Sequence, residues 1–158
     1  MNQIMNYRIA VASSFFAFLL SCHSGNPENP NPAVALNGTW QLVTGITVTK
    51  GDSVVTDYTK KQKMIKIINA THFAFLKHDV NQSKDSALNF DAGGGRYTLN
   101  GNHYTEHLDF YNDRNWEGKA FEFTVSLKND TLVQKGLEKV EGAGIDREII
   151  EKYVRVND

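Results

Sequence analysis

Arg96-Tyr97-Thr98-Leu99-Asn100-Gly101-Asn102-His103-Tyr104-Thr105-Glu106-His107-Leu108-Asp109-Phe110-Tyr111 sets two alternating runs on either side of Asn-Gly. A strand sends successive side chains to opposite faces, so alternation marks a half-buried strand. Asn-Gly predicts a type I′ turn, which needs positive φ at both central residues. The stretch is therefore read as a hairpin. The run that follows is the most regular in the chain: Phe121, Phe123, Val125 and Leu127 share one face, and Asn129-Asp130 turns the chain into Thr131 to Lys135.

The same pattern extends in both directions. Upstream, Trp40 to Val48 leads through Lys50-Gly51-Asp52 into Ser53 to Tyr58, then Met64 to Ile68, Asn69-Ala70 as a turn, and His72 to Leu76. Downstream, Ile149, Ile150, Tyr153 and Val154 would suit one helix face, with Asp146 as a cap. Five of the nine residues from Glu148 to Val156 are β-branched or aromatic, however, so this segment is read as the closing strand. A short helix is expected around Leu137 to Glu141. No proline occurs from Leu36 to Val156. Eight to ten strands joined mostly by tight turns must hide their edges. The expected fold is all-β, an up-and-down antiparallel barrel over residues 36–158.

Composition excludes more than it identifies. The 158 residues carry 17 Lys plus Arg against 18 Asp plus Glu, so no basic excess points to nucleic acid. A single cysteine, Cys22, rules out an internal disulfide and a Cys-rich zinc site.

The amino terminus reads as an address. Arg8 precedes the uncharged run Ile9 to Leu20. As a helix, that run reaches only about 18 Å, against about 30 Å of hydrocarbon core, so it reads as an export signal. Leu19-Leu20-Ser21-Cys22 resembles the lipobox of bacterial lipoproteins. The resemblance implies cleavage after residue 21, diacylglyceryl and amino-terminal acyl (palmitate-type) chains on Cys22, and a membrane partner through that lipid. His23 offers no acidic retention cue, so the expected location is the outer membrane of a Gram-negative cell. Residues 22–35 hold all three prolines and read as a solvated tether.

Gly38-Thr39-Trp40 at the domain entry resembles the G-x-W signature of lipocalins and related calycin barrels. The resemblance implies that Gly38 permits the turn into the first strand. It also implies that Trp40 plugs the barrel base and that Arg155, in Tyr153-Val154-Arg155-Val156, packs across the indole. Gly93-Gly94-Gly95-Arg96-Tyr97-Thr98 and Tyr104-Thr105-Glu106 resemble small lipid-anchored, lipocalin-like proteins of bacterial envelopes. The chain lacks the length, disulfide and long C-terminal helix of larger lipocalins.

Chemistry-bearing residues are few. His103, Thr105, His107 and Asp109 share one strand face, but His103 and His107 lie about 13 Å apart on a strand, too far for one metal. No metal or cofactor is expected. Glu106 stands among apolar Tyr104, Leu108 and Phe110, so an inward carboxylate is expected, facing a ligand, paired with Arg96 or Arg155, or wet at the mouth. Gly93-Gly94-Gly95 lacks the Lys-Ser/Thr of a phosphate loop and is read as a bulge or rim loop. No Gly-x-Ser-x-Gly occurs, and enzymatic activity is not expected. Trp116 falls in a loop, as either an exposed contact or a lid.

The function expected is non-catalytic binding of a small, partly apolar ligand by Phe73, Phe75, Tyr97, Tyr104, Glu106, Phe121 and Phe123. The alternative is a filled barrel serving as an accessory subunit beside an envelope protein. An interior void above about 300 Å³ separates the first from the second.

Overall fold

A computed structural model describes residues 34–80 and 90–157. The expected signal peptide and Cys22, with most of the tether, lie outside the described residues. Its last two residues, Val34 and Ala35, already run against the barrel, where the Ala35 carbonyl accepts a bond from Arg155 Nη2 at 3.4 Å.

Nine strands occur among the described residues. They are β1 (Gly38–Thr49), β2 (Asp52–Asp57), β3 (Gln62–Ile68), β4 (His72–Asp79), β5 (Asp91–Asn100), β6 (His103–Tyr111), β7 (Ala120–Lys128), β8 (Thr131–Val140) and β9 (Ile145–Arg155). All neighbours are antiparallel, and β1 pairs with β9 from Trp40↔Arg155 to Val48↔Glu148, closing the sheet. On its other edge β1 meets β3 at Gly38–Gln41 and β2 at Thr44–Thr49. β2 and β3 thus act as one interrupted strand, and the barrel is eight-stranded.

The closing segment is a strand, as expected. The region around Leu137 to Glu141 is mostly not helical: β8 continues to Val140, and only a single 3-10 turn, Glu141–Ala143, follows. The glycines are not a rim loop either. Gly93, Gly94 and Gly95 lie inside β5, beside an irregularity in register where Gly94 pairs with Phe110 and Arg96 with His107. Three steps on β6 match two on β5, which makes a β-bulge with the extra residue in β6.

The turns differ in type. Lys50 and Gly51 have φ of 53° and 93°, and Asn129 and Asp130 have 47° and 56°, as a type I′ turn requires. At the hairpin between β5 and β6, Asn100 pairs with His103, so the central residues are Gly101 and Asn102. Only Gly101 has positive φ, at 60°. This is the pattern of type II′, with glycine at the first central position, rather than the expected type I′.

The core fills the end of the barrel where the chain enters. Trp40, fully buried, donates from Nε1 to the Leu36 carbonyl at 2.7 Å. Leu42, Ile68, Leu132 and Tyr153 are buried in the same core.

Candidate functional site

Arg155 crosses the base as its resemblance implies. Its guanidinium carbon stands 4.1 Å from the Trp40 ring centroid. The head is held by the Asn37 carbonyl at 2.8 Å and by Asp130 Oδ1 at 3.0 Å. Contact of this kind is worth about 0.5–2 kcal/mol. Gly38 has φ of 140°, and a Cβ there would lie 2.5 Å from Arg155 Nη1. Glycine is needed at this position for both backbone angle and room.

Above the base lies a layer of polar side chains. Lys66 Nζ donates to Glu106 Oε1 at 2.7 Å and to Gln134 Oε1 at 2.9 Å. It also stands 5.7 Å from the Phe73 ring centroid and 5.3 Å from that of Tyr153. All three polar side chains are buried. Glu106 therefore points inward, but its partner is Lys66. Arg96 is bound instead to Asp109 at 3.0 Å on the outside, and Arg155 to Asp130. Next to this layer, Glu151 Oε2 accepts a bond from the Tyr153 hydroxyl at 2.6 Å. Burial pushes the Glu151 carboxyl above the usual carboxylate range, against the lowering effect of nearby Lys66. Tyr104 Oη is buried beside Glu106 without a hydrogen-bond partner among the described residues. Burial first, then that neighbouring carboxylate, pushes its hydroxyl upward.

This layer is the floor of a cavity of about 270 Å³. Phe75, Leu108, Phe121, Phe123 and Ile149 form its walls, and Tyr58, Tyr111 and Trp116 surround its mouth. The mouth also carries the pairs Lys77–Asp91 at 2.8 Å and Arg147–Glu138 at 2.6 Å. Trp116 packs 5.5 Å from Phe121 and 6.2 Å from Tyr111, centroid to centroid, with Arg147 5.8 Å from its ring. It is a lid over the barrel end.

Of the seven residues expected to contact a ligand, Phe75, Glu106, Phe121 and Phe123 line the cavity. Phe73, Tyr97 and Tyr104 do not. Phe73 and Tyr104 are buried outside the cavity lining, while Tyr97 stacks 5.2 Å from Tyr104 and donates its hydroxyl to the Asn69 carbonyl at 2.8 Å. Phe110, placed inward with Tyr104 and Leu108 by simple alternation, is 69% exposed. The bulge in β6 inverts the pattern after Leu108, so Tyr111 takes the inward position.

Lys66, Gln134 and Glu151 escape a reading of the sequence. In Met64-Ile65-Lys66-Ile67-Ile68 both faces are rich in aliphatic residues, so alternation does not say which face holds the lysine. Glu151 did carry a signal, since Ile149 and Tyr153 flank it at spacing two. His103 is exposed and His107 half-buried on the outer face. Among the described residues, no group of three or more His, Cys, Asp or Glu side chains is placed to hold a metal.

Closure of an up-and-down meander, with the Trp40–Arg155 stack at its base, makes this a lipocalin-like β-barrel. No protein-family model and no curated protein matches the chain. Among solved structures, the crystal structure of a lipocalin-like protein from Bacteroides uniformis is similar over 77% of this chain and 98% of that one. The sequence identity is 20% and the TM-score 0.49.

Proposed function

We propose that the chain is an exported, lipid-anchored protein whose barrel binds one small, partly apolar ligand without transforming it. The half-filled interior carries this reading. Below the polar layer sit the buried side chains of Trp40, Leu42, Ile68, Leu132 and Tyr153; above it lies a cavity with aromatic walls, ion-paired polar groups and an indole lid. At about 270 Å³ the cavity falls just short of the roughly 300 Å³ that divides a ligand-binding barrel from a filled one, so its polar floor and aromatic walls, rather than its volume, favour binding, and the ligand is small. The lipid on Cys22 is proposed from the lipobox-like sequence.

Native mass spectrometry of protein gently extracted from its own membrane tests the binding reading. A small-molecule adduct is expected, together with a change in Trp116 emission when it is stripped. The adduct should disappear in Leu108→Trp, which fills the cavity. Bare protein, with no change in emission, would sink this reading.

One observation favours the accessory-subunit alternative. On the outer face, Ile67, Ala74, Gly94 and Phe110 lie in register across four strands, and Ile65, Leu76 and Ala92 form a parallel row. This is a nearly continuous apolar stripe of the kind that marks interaction surfaces. Copurification of a second protein that is released by Phe110→Glu would support this alternative.

A further inference from the structure

Three cations and four carboxylates line the cavity: Lys66, Lys77 and Arg147 against Asp91, Glu106, Glu138 and Glu151. The cations are each taken, Lys66 by Glu106, Lys77 by Asp91 and Arg147 by Glu138. Glu151 is left over. Among the described residues it has no cationic partner within salt-bridge distance, and only its Oε2 is engaged, by the Tyr153 hydroxyl. A carboxylate in such a place is costly to ionise unless something positive enters beside it.

The walls supply the complementary feature. Phe75, Tyr111, Trp116 and Phe121 border the cavity, and aromatic ring faces attract cations. Lys66 already shows this environment accommodating an ammonium, lying near the Phe73 and Tyr153 rings. The volume leaves room for a short apolar body attached to one charged head.

We propose that the ligand is a small organic amine, bound as its cation with the ammonium on Glu151 and its apolar part against the aromatic walls. The inference rests on the ligand-binding reading above and narrows it to one class. An anionic ligand would meet the surplus carboxylate and would have to take Lys66, Lys77 or Arg147 away from its own carboxylate. A neutral ligand would leave Glu151 uncompensated.

The test compares three probes of one shape, benzylamine, benzyl alcohol and benzoate, by calorimetry and Trp116 fluorescence on the full mature chain and on Glu151→Gln. Benzylamine should bind the native chain roughly tenfold or more tighter than benzyl alcohol, with benzoate weakest, because a hydrogen bond to a charged group outweighs a neutral one. Glu151→Gln should remove that advantage, while near-UV circular dichroism matching that of the native chain shows that the variant is folded. Equal or tighter binding of benzoate or the alcohol to the native chain overturns the amine assignment while the ligand-binding reading stands. An undiminished benzylamine preference in Glu151→Gln also overturns it. Failure of all three probes, with no adduct on protein extracted from its membrane, overturns both readings.

Discussion

Lys66 and Glu106 face each other across the barrel interior, 40 residues apart in the chain. Removing two such charges from water costs several kcal/mol per ion, so their 2.7 Å contact, the Gln134 bond and the flanking rings chiefly offset that cost. What the pair provides is position: it holds a polar floor at mid-barrel and keeps apolar side chains from closing the space above. Among the described residues Glu151 has no such ion pair, and the lowering effects of nearby Lys66 and the Tyr153 hydroxyl do not outweigh its burial. Burial raises its carboxyl, so the folded chain retains that proton to higher pH than the unfolded chain does. The stability linked to the proton is fully present in acid and is lost as pH rises through the raised value. Every tenfold gain in proton affinity on folding corresponds to about 1.4 kcal/mol. Glu151→Gln should therefore raise the urea midpoint of the unliganded protein near pH 7, by an amount that fades below about pH 4, where both side chains are neutral. Equal midpoints at both pH values would contradict burial as the cause.

At the scale of elements, the bulge in β6 shapes the site most. It turns Tyr111 into the mouth and Phe110 out to solvent. The Asp109 carboxylate bonds the Arg96 backbone N–H at 3.1 Å and its guanidinium at 3.0 and 3.2 Å, clamping the irregular step from outside. Gly95 gives the room: a Cβ there would lie 1.9 Å from the His107 carbonyl oxygen and 2.6 Å from the Asp109 nitrogen. These are backbone atoms and cannot swing away. Gly95→Ala should cost about 1–3 kcal/mol in urea unfolding and shift the Tyr111 and Trp116 ring resonances as the mouth rearranges. A variant with unchanged stability and spectra would show that the bulge is softer than this geometry implies. None of this is readable from alternation, because a bulge moves every later side chain to the other face while leaving composition untouched. The three glycines carried a hint, but a run of glycine is equally at home in a loop.

For the whole molecule, closure of β1 on β9 removes the two edges an open sheet would expose. β2 is the exception among the described strands, pairing only with β1, with its own Val54 and Val55 exposed. The chain enters at the stoppered end, where Ala35 and Asn37 hold Arg155, while the cavity opens at the Trp116 end. A lipid on Cys22 would therefore tether the protein by its closed base and leave the mouth free for ligand. Cys22→Ala should move the protein from the membrane fraction to the soluble fraction with the barrel still folded; unchanged partitioning would remove the lipid from the proposal.

Alternation and turn chemistry are local properties, written within a few residues. They suffice for the all-β class, for the closing strand and for recognising Glu106 as inward. The Trp40–Arg155 stack was legible only through a family resemblance. The partner of Glu106, the inversion at Phe110 and the unmatched charge of Glu151 depend on which distant strands become neighbours and in what register. Those are outcomes of closing the barrel, where Glu106 and Gln134, 40 and 68 positions along the chain from Lys66, come within hydrogen-bond reach of its ammonium.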